Sequence, residues 1–252
     1  MNIDLSSKTV LVTGASRGIG AAVAEQLAAS GAKVLIHYNR GKDKANEVLN
    51  KLGGRGAIIQ SDLSDANQVI GFVKRAWDEF GPISAVVNNA GIAKPAADDM
   101  RSEEWLAVWE ETMAVNTTSL AIICKEYVEL ARKEKDGRII NVSSRAAFRG
   151  DTQDYIAYAA SKGAVVSITR TIARHYGKEG IKAFLIAPGF TRTDMANEIL
   201  AEYGEGFALN DIALPELTKP EDLAPMITLL CSGMADHATG ASIDINAGSY
   251  VH

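Results

Sequence analysis

The sequence predicts a single α/β domain built on a doubly wound parallel sheet of about seven strands, with helices on both faces. Three observations predict it. Short β-rich runs alternate with stretches of helical spacing along the whole chain. Most of those runs are nearly continuous in Val, Ile, Leu and Ala, the composition of strands covered on both faces. The length, 252 residues, suits one large domain with a sizeable core. Strand–helix alternation then implies right-handed crossovers and a parallel order.

The strand runs are Thr9–Thr13, Lys33–Tyr38, Ala57–Ser61, Ala85–Asn88, Arg138–Val142, Lys182–Ala187 and Ser242–Ile245. Between them, Ala21–Ser30 has helical spacing and stops at Gly31, a residue able to take the left-handed closing conformation. A second helix, Asp65–Phe80, stops at Gly81-Pro82. Ser102 is placed to cap a third, with Glu103 and Glu104 in the first turn where the helix dipole favours them. A long helical pattern covers Trp105–Ala131. No repeat or linker divides the chain, so residues 1–252 read as one domain. In such sheets ligands sit beyond the carboxyl ends of the strands, so those loops are expected to carry the chemistry.

Composition excludes several classes. The net charge of -5 lacks the concentrated positive surface that nucleic acid needs. No apolar run approaches a membrane span, and Met1-Asn2-Ile3-Asp4 is unlike a signal peptide. Cys124 and Cys231 sit in apolar helical patterns without paired spacing and read as buried thiols. His37, His175, His237 and His252 are scattered without ligand spacing, so no metal site is expected. A cytoplasmic protein is the expectation.

The first strand runs into Thr13-Gly14-Ala15-Ser16-Arg17-Gly18-Ile19-Gly20 and then directly into a helix. Glycines there let the backbone turn sharply and approach a pyrophosphate, while helix N–H groups face the negative charge. A tight strand–helix turn alone uses the same residues; its place after the first strand of an alternating chain favours a dinucleotide. An acidic residue usually ends the second strand and holds the adenosine ribose. Here that end reads His37-Tyr38-Asn39-Arg40, with no carboxylate. Arg40 can bind a 2′-phosphate with charge-assisted hydrogen bonds; Arg17 reaches the same region and Ser16 adds a hydroxyl. Both arginines are alternatively solvated surface charges. The pair, with the acid missing, favours NADP(H) over NAD(H). His37 reads as an ordinary residue near a strand end.

Tyr158-Ala159-Ala160-Ser161-Lys162 puts a phenol and an ammonium on one helix face. A neighbouring cation stabilises phenolate and makes tyrosine usable as an acid or base. The spacing by itself is common, and Tyr155 is a decoy, with Ala159 four residues on. Upstream, a strand ends in Asn141-Val142-Ser143-Ser144, where a hydroxyl can bind a substrate oxygen. Asn116, a poor helix former inside the long helical pattern, holds a water, bends the helix, or is a satisfied buried amide.

Together these residues resemble the short-chain dehydrogenase/reductase family over essentially the whole chain. The resemblance implies a Rossmann-type fold and assigns the glycine turn, with Gly14, Ser16, Arg17, Gly18, Ile19 and Gly20, to the cofactor. It adds Asn39 and Arg40, Asp62 with Leu63 at the adenine, and Asn89, Ala90 and Gly91 of Asn-Asn-Ala-Gly in the cofactor groove. It places Pro188, Gly189, Thr191 and Thr193 at the nicotinamide carboxamide. The family's catalytic tetrad falls on Asn116, Ser144, Tyr158 and Lys162, with Tyr158 and Lys162 also contacting the cofactor. Ser144 is preferred to Ser143 as the second serine of the motif, one residue further from Tyr158 than in many relatives. The family's Asn-Gly-Gly after the last strand is Asn246-Ala247-Gly248 here.

The resemblance implies hydride transfer between NADP(H) and a carbonyl or secondary alcohol. Tyr158 would be acid or base, Ser144 would hold the oxygen, Lys162 would lower the tyrosine pKa, and Asn116 would position a relay water. Thr193–Leu214 falls where relatives carry a substrate lid; Gly204 and Gly206 would let it move. Arg132, Lys133, Lys135 and Arg174 are candidates for an entrance patch binding an acyl carrier protein; a small ketone is the other substrate class. A homotetramer is implied, pairing through the helices of Asn116 and Tyr158 and the last strand. The rival class is a catalytically idle NADP(H)-binding sensor or interaction protein on the same fold. Such proteins typically lose the tyrosine or lysine, and here all four positions are filled.

Overall fold

The computed structural model describes residues 3–194, 196 and 204–251. Seven parallel strands stand in the order β3-β2-β1-β4-β5-β6-β7. They are β1 Thr9–Val12, β2 Lys33–Tyr38, β3 Gly56–Gln60, β4 Ala85–Asn88, β5 Gly137–Val142, β6 Ile181–Pro188 and β7 Ser242–Ile245. Each expected run forms a strand. The order reverses between β1 and β4, and the crevice at such a switch point is where doubly wound sheets bind ligands.

Helices α1 (Gly18–Ala29), α2 (Lys42–Lys51), α3 (Ala66–Val69), α4 (Phe72–Phe80), α5 (Ser102–Met113), α6 (Ser119–Glu134), α7 (Ala146–Arg149), α8 (Ile156–Tyr176), α9 (Glu205–Leu209) and α10 (Pro220–Ser232) connect and cover the strands. Alternate side chains of each strand enter different cores, which explains why both strand faces are apolar. Val10, Val12, Val34 and Ile36 join Val23 and Leu27 of α1 and Ile227 of α10. Leu11, Leu35 and Val86 join Phe72 and Val73 of α4, Tyr127 of α6 and Val165 of α8.

Helix ends depart from the sequence reading in three places. The expected helix Asp65–Phe80 is two, broken at Gly71, which takes φ 78°. Asp65 caps the first piece by accepting from the Asn67 amide at 2.9 Å. Glu126 of α6 caps the second, accepting from the Gly71 and Val73 amides. Ser102 is the first helical residue of α5 and Arg101 stands at the cap with no side-chain bond to the helix backbone, although Glu103 and Glu104 do occupy the first turn. The long pattern from Trp105 is α5, a π-helical turn at Ala114–Thr118, and α6. The π turn contains Asn116, so of its open readings two are observed, the local distortion and the satisfied buried amide, at a kind of site often functional. At α1 the expected ending holds: Gly31 has φ 99° and the Ala32 amide donates to Leu27 O.

Candidate active site

The glycine turn is built by contacts that leave no space for side chains. A Cβ on Gly20 would lie 2.4 Å from Gly14 O and 2.6 Å from Asn89 Nδ2. One on Gly14 would lie 2.9 Å from Ala90 Cα, and Gly14 has φ 63° besides. Thr13 Oγ1 accepts from the Asn89 and Ala90 amides, both at 3.0 Å. Asn89 Nδ2 donates to Thr13 O at 3.0 Å and Gly14 O at 3.2 Å. The turn after β1 and the loop after β4 are therefore one unit, and the start of α1 projects from it.

His37 completes that unit, and sequence reading missed it. The Gly14 amide donates to His37 Nδ1 at 3.0 Å, so Nε2 carries the proton and donates to Ser61 O at 3.1 Å. Burial pushes the His37 pKa down to about 4, which keeps the imidazole neutral and able to accept. Its signal in the sequence was a polar residue at a buried strand position.

Beside the turn, Asp62 accepts from Asn39 Nδ2 at 3.2 Å and from the Ser64 amide and hydroxyl at 2.9 and 2.7 Å. Those Ser64 bonds hold its carboxyl below the ordinary range, so it is ionised. Arg40 is exposed on the same rim. Arg17 pairs with Asp194 at 2.9 Å, and Lys44, a third cation not singled out in the sequence, stands 3.9 Å from the same carboxylate. Gly18 packs near Thr193, whose Cγ2 would be 3.4 Å from an added Cβ.

The same cleft, about 1450 Å³, runs on to Asn89–Ile92, Ser144, Tyr158, Lys162 and Pro188–Thr191, and is also lined by Ser16, Ile19 and Leu63. The adjacent serines have separate tasks: Ser143 Oγ donates to Lys162 O at 2.9 Å, which ties the end of β5 to α8. Ser144 lines the cleft and hydrogen-bonds Tyr158. Lys162 is buried, donates to Val142 O at 3.0 Å, and lies 5.8 Å from the Tyr158 ring centroid. Burial lowers its pKa to about 8.

The expected lowering of the Tyr158 pKa by Lys162 is not seen. Burial raises it, the Ser144 hydrogen bond pulls the other way, and Asp151 and Arg145 act in opposite senses. Desolvation of phenolate outweighs these partners.

Asn116 Oδ1 accepts from the Ile92 amide at 2.8 Å, while Nδ2 donates to Ile92 O at 2.8 Å and Ser161 Oγ at 3.0 Å. The amide thus braces the loop after β4 against α8. A Cβ on Gly91 would lie 3.2 Å from Lys162 Nζ and 3.3 Å from Asn116 Oδ1, so the three converge. A Cβ on Gly189 would lie 2.7 Å from Asn246 Cα, and the Arg145 amide donates to Pro188 O at 3.0 Å. A chain of amides unread in the sequence supports the floor: Asn88 donates to Asn141 at 2.8 Å, and Asn141 to Thr169 at 2.9 Å.

The basic patch expected at the entrance lies elsewhere. Arg132 and Lys133 end α6, Lys135 follows it, and Arg174 is in the last turn of α8. These helix ends feed the starts of β5 and β6, so the residues sit at the opposite edge of the sheet from the cleft. Of the expected lid, Thr193, Asp194, Ala196 and Gly204–Leu214 are described; Met195, Glu198, Ile199, Leu200 and Glu202 lie outside the described residues. Cys124 and Cys231 are buried free thiols. No described helix is long and apolar enough to cross a membrane.

A family model described as enoyl-(acyl carrier protein) reductase matches residues 14–250. A 3-oxoacyl-[acyl-carrier-protein] reductase from Synechocystis sp. is 34% identical over 248 residues, covering 97% of each chain. A solved dehydrogenase/reductase from Sinorhizobium meliloti is 30% identical, with TM-score 0.87 over 99% of this chain and 98% of its own. A second solved structure, a short chain dehydrogenase/reductase family protein, has 27% identity and TM-score 0.85 over 99% of both chains. This chain belongs to the short-chain dehydrogenase/reductase family. As a short-chain dehydrogenase/reductase it is an oxidoreductase acting on a carbonyl or alcohol. The Rossmann-type sheet of that family is the sheet described above.

Proposed function

We propose that the chain interconverts a carbonyl and a secondary alcohol with NADP(H), using Tyr158 as acid and base. The observation that carries this reading is convergence: Ser144, Tyr158 and Lys162 face one cleft with the glycine cradle, and buried Asn116 braces the loop carrying Gly91 beside them. The cradle fits a dinucleotide, since Gly14 and Gly20 let the turn after β1 pack directly on the loop after β4, which sets the start of α1 at the cleft with its N–H groups available to a pyrophosphate. Arg17, Arg40 and Lys44, with Asn39 in place of an acid, suit a 2′-phosphate. When bound, the dinucleotide supplies or accepts hydride.

In the reducing direction Tyr158 donates its proton to the carbonyl oxygen while Ser144 holds that oxygen. Burial above the ordinary phenol range makes Tyr158 a competent proton holder at neutral pH. Lys162, held by Val142 O and 5.8 Å from the Tyr158 ring centroid, lines the cleft where the nicotinamide end of the dinucleotide would bind. Asn116 fixes the loop carrying Gly91 and keeps the space between itself and Lys162 open for a relay water. Thr193, Asp194, Ala196, Phe207 and Asn210 of the expected lid line the cleft and flank the substrate, and the assembly is a homotetramer. The relatives' names make 3-oxoacyl thioesters one class to test, alongside small ketones. The convergence of four intact reactive positions supports an enzyme over an idle cofactor-binding sensor.

The test is NADPH oxidation followed by absorbance against ketones, aldehydes, oxo acids and a 3-oxoacyl thioester. Tyr158→Phe should lower kcat about 10²- to 10⁴-fold while NADPH binding by titration stays intact. Equal activity in Tyr158→Phe refutes the acid, and a preference for NADH refutes the assignment of Arg17 and Arg40.

A further inference from the structure

We propose that Arg145 and Arg149 form a carboxylate-recognition subsite beside the reacting centre, so that the substrate is an oxo acid or its hydroxy acid. This rests on the carbonyl–alcohol reading above and names the substrate class for it.

Arg145 directly follows Ser144, and α7 brings Arg149 one turn later onto the same side. The Arg145 side chain is only 12% exposed, and its guanidinium lies 5.8 Å from the Phe190 ring centroid. A guanidinium removed from water in this way needs a counter-charge. That charge comes from across the cleft. Asp211, just after α9 and inside the stretch that covers the substrate, approaches Arg145 Nη1 at 2.5 Å. Arg149 Nη1 donates to both oxygens of the same carboxylate, at 3.1 and 3.0 Å. Two guanidiniums therefore share one carboxylate, and buried Arg145 Nη1 makes no aligned hydrogen bond. Each guanidinium offers a planar fork of five donors matched to a carboxylate, so the donor capacity here exceeds what Asp211 uses.

The seat is also electrically connected to the chemistry. Arg145 and Asp151 both act on the Tyr158 phenol, and Asp151 faces Arg145 and Arg149 as well. The two guanidiniums are balanced by Asp211 and by Asp151, whose own pKa burial raises. A substrate carboxylate that takes the place of Asp211 preserves that balance, whereas a neutral ketone gives the arginines nothing that Asp211 does not already supply. The protein's own aspartate thus marks where a substrate carboxylate binds, and its release couples binding to movement of the covering stretch.

The experiment measures NADPH oxidation by the full chain with matched pairs: acetoacetate and its methyl ester, 2-oxobutyrate and its methyl ester, and a 3-oxoacyl thioester. In the better pair the acid should exceed its ester in kcat/KM by at least about tenfold. Arg145→Gln should cut kcat/KM for the acid by about 30-fold or more, as truncating one member of a buried charge pair does. The loss should appear mainly in KM and be at least about tenfold larger for the acid than for the ester, with Arg145→Lys recovering part of it. Asp211→Asn should lower KM for the acid by removing its competitor. Should Arg145→Gln fail to fold, succinate is the second probe, expected to inhibit ester or ketone turnover by the wild type competitively. Equal use of acid and ester by the wild type, equal losses for both in Arg145→Gln, or no inhibition by succinate overturns the subsite while leaving the reductase reading standing. Turnover of no carbonyl compound at all overturns that reading, and the subsite with it.

Discussion

The Gly14 amide and the Ser61 carbonyl are bridged by one imidazole, and the bridge works only while His37 is neutral. Its folded pKa of about 4 lies below the ordinary value of 6.5. Between those values the unfolded chain binds a proton that the folded chain refuses, so stability falls as pH drops from 6.5 toward 4. At pH 5 the loss from this group is about 2 kcal/mol relative to pH 7. His37→Gln keeps an acceptor for Gly14 and a donor for Ser61 without titrating there. Denaturant melts at pH 7 and pH 5 should show a smaller acid-side loss in His37→Gln; an identical loss in both proteins refutes the role. From the sequence His37 reads as an unremarkable strand-end residue, because Gly14 and Ser61 are remote along the chain. Ser143 and Ser144 illustrate the same limit. Both are hydroxyls at a strand end, and only their contacts, one to α8 and one to Tyr158, tell them apart.

Elements here are cut and joined by residues outside them. The spacing of Asp65–Phe80 is continuous enough to suggest one helix, yet Gly71 takes a left-handed conformation and α4 begins anew. What stabilises that break is Glu126 on α6, accepting from the Gly71 and Val73 amides. Glu126→Ala leaves both donors to water and should cost about 1 to 2 kcal/mol, read from urea unfolding, with NADPH affinity unchanged. A loss below about 0.3 kcal/mol would mean water replaces the carboxylate without penalty. The π turn at Asn116 follows the same pattern. An asparagine in a helical run announces some irregularity, but its form depends on Ile92 and Ser161, neither of which is a local neighbour. Helix periodicity records which face is apolar; it does not record partners that reach in from another helix.

Across the whole molecule, the proposed homotetramer would cover apolar groups that a single chain leaves exposed. Helix α5 buries only Thr112, while Trp105 and Trp109 stack at 5.5 Å and Leu106 is 48% exposed. On α8, Ile156 is 53% exposed. These lie on the helices expected to pair chains, so sedimentation equilibrium should give a four-chain assembly. Leu106→Glu with Ile156→Glu should shift it toward smaller species, and a wild-type monomer at micromolar concentration refutes the assembly. The seven strands, their parallel order and the glycine cradle were all readable from residue order. Strand–helix alternation, two-sided apolar runs and a turn that tolerates no side chain are properties of neighbours along the chain. The proposed tetrad, Asn116, Ser144, Tyr158 and Lys162, came from family resemblance, because these residues lie on three separate segments and no local spacing joins all of them. Three features took their form only in the folded protein: the upward shift of the Tyr158 phenol, the basic patch at the far edge of the sheet, and the Arg145–Asp211 seat. Each depends on burial or on charges brought together from distant segments. Desolvation and Coulomb energy are set by distance in space, and a linear pattern does not contain that distance.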